Sequence, residues 1–196
     1  MRVFIALDID DVIRKRLQLF LDGVHGFAPH ARWVRPESMH VTLKFIGEKS
    51  AESVEEIKHA LARIQGGVIE ISFRGYGFFP TSKAARVFWV GIEAGSQLAA
   101  LAKSVDEAMA ALGVPKEEHA FSPHLTLARR GASGTPHWRK GDAPNQAFQR
   151  LQEKLTAMRS PEFGTMTTRE FFLYQSQPGR GGSRYTKIGR FELKDM

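Results

Sequence analysis

The chain has 196 residues, 42% of them hydrophobic, enough to bury the core of one large domain or of two small lobes. It contains no cysteine, which excludes disulfides, thiolate metal sites and a cysteine nucleophile in one step. Its formal net charge of +7 favours an anionic partner, nucleic acid being the obvious class.

In chain order, residues 2–8 alternate in polarity and are β-prone. Their apolar run lasts only about five residues before acids intervene, too short for a signal-peptide core or a membrane span, so a cytoplasmic protein is expected. Asp10 can cap a helix whose Ile13, Leu17, Phe20, Leu21 and Val24 share one face. Gly26 and Pro29 end it, Trp33 is expected in the core rather than stacked on a ligand, and Pro36 sets up entry to a strand at His40. Ser53-Val54-Glu55-Glu56 has capping-box spacing, and Val54, Ile57, Leu61 and Ile64 carry a second helix to the Gly66-Gly67 stop, with His59 solvated. Ile69, Ile71 and Phe73 read as a strand, and Gly75-Tyr76-Gly77-Phe78-Phe79-Pro80 as an aromatic turn that covers a sheet edge or lines a cleft.

A strand over Arg86–Ile92 follows, then a helix with Leu98, Leu101, Val105, Met109 and Leu112 on one face, closed by Gly113 and Pro115. His119 is read as a surface residue. Residues 131–146 form the longest loop, in which His137-Trp138-Arg139-Lys140 either contacts nucleic acid or is mobile and solvated. A fourth helix carries Phe148, Leu151, Leu155 and Met158, and a strand is expected around Thr168–Gln175. The glycine-rich segment from Pro178 to Arg184 reads as a hairpin turn, with phosphate contact and plain solvation both open.

One pattern binds these elements together. His40-Val41-Thr42-Leu43 returns as His124-Leu125-Thr126-Leu127, an offset of 84, and Arg2-Val3-Phe4 and Ser38 return at the same offset as Arg86-Val87-Phe88 and Ser122. A shared offset indicates an internal duplication. Within each copy His and Thr alternate with Val and Leu, so on a half-buried strand the imidazole and the hydroxyl point the same way, about 7 Å apart. Two such strands around a pseudo-twofold axis bring two His and two Thr to one groove. That set suits a phosphate ester: one imidazole can hold a proton while the other accepts one, and hydroxyls can donate to non-bridging oxygens without adding charge.

His40-Val41-Thr42-Leu43-Lys44-Phe45-Ile46-Gly47 behind Arg35-Pro36-Glu37, together with Pro123-His124-Leu125-Thr126-Leu127-Ala128-Arg129, resembles the paired signatures of the 2H phosphoesterases. More narrowly the chain resembles the bacterial RNA 2',3'-cyclic phosphodiesterases, also called 2'-5' RNA ligase-like proteins, from Arg2 to the Ser183-Arg184-Tyr185-Thr186 segment. The resemblance implies an α+β fold with two pseudo-symmetric lobes, each an antiparallel-rich sheet backed by two helices, around a central groove. The lobes span approximately 1–84 and 85–196 of a single 2H phosphoesterase domain, with strands free to exchange between them, and a monomer is expected. The activity implied is hydrolysis of RNA 2',3'-cyclic phosphate ends to 2'-phosphates, with His40 and His124 as the acid–base pair and Thr42 and Thr126 as phosphate ligands. His124 is read as base and His40 as acid, although the pseudo-symmetry leaves the roles interchangeable. Reversible 2'-5' RNA ligation and a non-catalytic RNA-binding module are the alternatives.

Arg129 is the resemblance's candidate for charge stabilisation; strict strand parity from His124 would put Arg130 in the groove instead, so following the resemblance requires a strand end or bulge that re-aims the side chain. Parity likewise leaves Lys44 either at the groove rim or solvated. The chain has no Walker-type loop for ATP, no His-Glu-x-x-His, and no carboxylate triplet to complete a metal site with His40 and His124, so no metal or other cofactor is expected.

Overall fold

The computed structural model describes residues 1–131, 146–180 and 182–194. The first half contains β1 (Arg2–Asp8), α1 (Asp11–Val24), β2 (Arg32–Trp33), β3 (His40–Glu48), α2 (Ala51–Leu61) and β4 (Ile69–Phe79). The second contains β5 (Val87–Ala94), α3 (Ser96–Ala110), β6 (His124–Arg129), α4 (Gln149–Thr156), β7 (Glu162–Thr168), β8 (Glu170–Gln177) and β9 (Arg184–Glu192). They build an α+β fold with two antiparallel sheets, in the orders β3-β1-β8-β9 and β2-β6-β5-β4-β7. Each sheet draws strands from both halves of the chain. The helices cross over too, α1 packing on β7 and α3 on β3, with α2 against α3.

Local chemistry explains most boundaries. Asp10 caps α1 by accepting from Ile13 N at 2.8 Å, and Ile13, Leu17, Leu21 and Val24 are buried on one face. The cap of α2 is Ser50, which accepts from Ser53 N at 3.1 Å, so that helix begins before the expected Ser53 box and ends at Leu61, with Ile64 beyond it. In α3 the expected core position Leu112 lies past the helix end and is exposed. Gly113, at φ +78°, turns the chain so that Val114 N reaches Met109 O at 3.0 Å and Val114 is buried instead. Met158 is likewise exposed beyond α4, while Phe148, Leu151 and Leu155 are buried.

The expected aromatic turn at 75–80 is instead the second half of β4. A register shift between Phe73 and Tyr76, with Gly75 at φ +69°, bends that strand without ending it. Strands β2, β7 and β9 add to the elements expected from the sequence, and the strand expected around 168–175 is β8, whose start at Glu170 follows the end of β7 at Thr168. Trp33 packs against the main core, as expected, and donates from Nε1 to Ala28 O at 3.0 Å. His59 and His119 are exposed. His137-Trp138-Arg139-Lys140 lies outside the described residues.

One continuous core joins both sheets, including Val3, Ile5 and Leu7 of β1, Val41 and Leu43 of β3, and Leu125 and Leu127 of β6. A separate small cluster of Phe4, Ala6, Phe172 and Tyr174 occupies the opposite face of the first sheet. Strand β1 thus buries both faces, one in the core and one beneath His40. Among the described residues no helix is long and apolar enough to cross a membrane.

Candidate active site

Strands β3 and β6 pack against each other where the two sheets meet. The groove along that seam is a cavity of about 610 Å³ whose lining includes His40, Thr42, His124, Thr126 and Arg129. All five candidate side chains from the sequence therefore share one site, of a size typical for small-ligand pockets.

The two histidines are held in the same way. His40 Nδ1 lies 2.7 Å from Ser38 O, and His124 Nδ1 lies 2.9 Å from Ser122 O. A carbonyl can only accept, so each Nδ1 carries the proton and each Nε2 is left available for chemistry. The repeat of Ser38 at Ser122 was the trace of this arrangement in the sequence, although the main chain and not the hydroxyl makes the bond.

Each ring also lies in an aromatic setting. His40 is 4.8 Å from Phe4 and 5.2 Å from Tyr185, centroid to centroid. His124 meets Phe79 edge-on at 4.9 Å and Trp89 at 6.3 Å. Gly77 permits the second set, because a Cβ there would come within 2.1 Å of the Trp89 indole. Of these aromatics only Phe79 had a place at a cleft among its readings from sequence. Phe79 fell within the segment expected to be a turn, and Phe4 within the repeated Arg2-Val3-Phe4 element.

Burial pushes the His40 imidazole down to about 4. The Ser38 carbonyl and Asp8 pull it upward, while Arg129 and His124 push it further down. His124 is lowered for the same first reason, burial, with Ser122 opposing and Arg129 adding to the effect. Arg129 therefore acts electrostatically on both rings. Asp8 stands directly across from His40 in the β1–β3 register. Burial pushes its carboxyl up, yet bonds from Lys187 and Arg14 hold it below the ordinary carboxylate value.

Whether Arg129 or Arg130 faces the groove is decided by a β-bulge. On β6, Thr126 pairs with Trp89 and Ala128 with Phe88, leaving Leu127 as the extra residue. Leu127 and Ala128 are both fully buried, so alternation resumes one residue late and Arg129 returns to the groove. Strand β3 repeats the device: Thr42 pairs with Ala6 and Lys44 with Ile5, leaving Leu43 extra. Phe45 thereby enters the groove, at the position equivalent to Arg129.

The same bulge corrects the expectation for Lys44. It is neither at the groove rim nor solvated but only 2% exposed, on the back of the strand. Its ammonium donates to Asp106 Oδ1 at 2.6 Å and Pro115 O at 2.9 Å, and reaches Glu117 Oε1 at 3.3 Å. These contacts tie β3 to α3 and to the segment leading into β6. Arg2 and Arg32 also line the groove, and neither was assigned a role from sequence. Among the described residues no group of three or more His, Asp or Glu side chains is arranged to hold a metal ion.

Comparison with known proteins identifies the family. The sequence model of the LigT like Phosphoesterase family matches residues 7–89 and again residues 90–185. A curated relative from Archaeoglobus fulgidus, named RNA 2',3'-cyclic phosphodiesterase, is 33% identical over 98% of this chain and 100% of its own length. One of the same name from Aeropyrum pernix is 32% identical over 91% of this chain and 94% of its own. The crystal structure of E. coli LigT complexed with 3'-AMP superposes with a TM-score of 0.77 at 26% identity, covering 99% of this chain and 98% of that one. With the paired signatures on facing strands and the family model matched twice along its length, the chain belongs to the LigT-like phosphoesterases.

Proposed function

We propose that the protein hydrolyses 2',3'-cyclic phosphate ends of RNA to 2'-phosphates by two-histidine acid–base catalysis. The observation that carries this reading is the matched anchoring of His40 and His124 by their Nδ1 atoms, which leaves each Nε2 for chemistry, with an arginine acting on both rings. In the reaction, His124 Nε2 takes a proton from water as its oxygen attacks phosphorus. The P–O3' bond breaks in line, and His40 Nε2–H protonates the departing 3'-oxygen, leaving the phosphate on O2'. Burial makes protonated His40 a strong donor but a scarce one, so the electrostatics leave the acid and base roles of the two rings interchangeable, and His40 as acid follows the reading of the signatures. Thr42 and Thr126 donate hydrogen bonds to the non-bridging oxygens, and Arg129 offsets the charge that builds on them.

The relatives' shared name, RNA 2',3'-cyclic phosphodiesterase, supports the substrate class. The test is chromatographic identification of the product from an oligonucleotide ending in a 2',3'-cyclic phosphate. A 2'-phosphate is expected. A 3'-phosphate reverses the orientation of the ester in the groove, and binding without turnover makes the protein a non-catalytic module.

A further inference from the structure

The groove carries more positive charge than one phosphate needs. Arg32 of β2 pairs in register with Arg129 of β6, so two guanidinium side chains stand directly opposite each other on adjacent antiparallel strands. Like charges in that relation repel, with Cβ atoms about 4.5–5.5 Å apart. Among the described residues neither arginine has an acidic partner within ion-pair distance, whereas Arg14, Arg74 and Arg190 are each paired with a carboxylate. The position of Arg32 is built. Trp33 beside it packs on the core and bonds Ala28 O, and Val34 N donates to Leu127 O at 2.8 Å, fixing β2 to the bulge that aims Arg129. An anion lying against this pair removes the repulsion and gains charge-assisted bonds.

We propose that Arg32 forms a second phosphate subsite beside the reacting one and takes the 5'-phosphate of the terminal nucleotide. The ligand class is then a nucleotide phosphorylated on both sides of its ribose, and in RNA the second phosphate is the phosphodiester joining it to the rest of the strand. This rests on the cyclic-phosphate reading of the groove, but its test uses binding alone and stands apart from turnover.

Dissociation constants are measured for a nucleoside 2'-monophosphate, a nucleoside 2',5'-bisphosphate and a dinucleotide ending in a 2'-phosphate. In the wild-type protein the second phosphate should tighten binding roughly ten- to hundredfold. Arg32→Gln should bring that ratio close to one, and for the dinucleotide should lower the slope of log affinity against log salt by about 0.7. Arg130→Gln, which removes an exposed arginine outside the groove lining, should leave the ratio as in wild type. Equal gains for bisphosphate and dinucleotide assign the subsite to the phosphate itself, and a gain from the dinucleotide alone assigns it to an RNA strand. No gain in the wild type, a gain retained in Arg32→Gln, or an equal loss in Arg130→Gln overturns the proposal.

Discussion

Each imidazole proposed to gain and lose protons is here kept in surroundings that favour its neutral form. Burial lowers both His40 and His124, so the state with one proton on the pair lies on the acid side of the ordinary imidazole value of ~6.5. The kcat/KM profile, which reports the free enzyme, should therefore be a bell with its maximum below about pH 6.5, and one still rising at about pH 7.5 contradicts the assignment. The same shift enters stability. Because the folded values lie below the unfolded ones, the unfolded chain binds protons first as the pH falls. Fold stability from these groups is complete above ~6.5 and is lost toward the folded value, at up to about 1.4 kcal/mol per pH unit for each ring. Urea melts at pH 5 and 7 should differ less for His40→Ala than for wild type. Thr42→Ala, Thr126→Ala and Arg129→Ala should each slow turnover by up to about 2.7–4 kcal/mol of transition-state stabilisation without abolishing it, while Arg130→Ala stays close to wild type.

At the scale of the element, the bulge in each signature strand does the aiming. It sends Phe45 and Arg129 into the groove and Lys44 and Ala128 to the back, so a count of alternate residues fails from the fifth position of each signature onward. Lys44 then becomes a buried cation that holds β3 to α3. Lys44→Met should cost roughly 1–3 kcal/mol at neutral pH, because Asp106 and the Pro115 carbonyl lose their donor. The Lys44 bond lowers the Asp106 pKa below its ordinary value, so that contribution is present above about pH 4 and lost below it. The difference between Lys44→Met and wild type in denaturant melts should accordingly narrow on acidification. What the sequence carried legibly was whatever depends on neighbours in the chain: the Asp10 cap, the apolar faces of α1 and α3, and the common facing of His40 with Thr42 and of His124 with Thr126. The bulge in β3 was illegible, and that in β6 was implied only by setting the resemblance against parity, because a one-residue shift is set by pairing with β1 and β5, far away in sequence. Strand β7, interrupted by Gly164 at φ +103°, and the largely exposed β9 carry no clean alternation to read.

Across the whole molecule, the two halves complete one another's sheets, and the seam between those sheets is where the two signatures meet. The pseudo-symmetry is broken within the groove, with Arg129 on one side and Phe45 at the equivalent position on the other. In the proposed mechanism two imidazoles account for both proton transfers, so a chelator should leave the rate unchanged, and activity lost in EDTA and restored by a divalent ion contradicts this scheme. The most direct measurement is the rate at which RNA 2'-phosphate forms from a terminal 2',3'-cyclic phosphate, with wild type beside His40→Ala and His124→Ala. Each substitution should lower kcat by ~10²–10⁴-fold while the fold, followed by circular dichroism, is retained. Either variant turning over within a few-fold of wild type contradicts the two-histidine account.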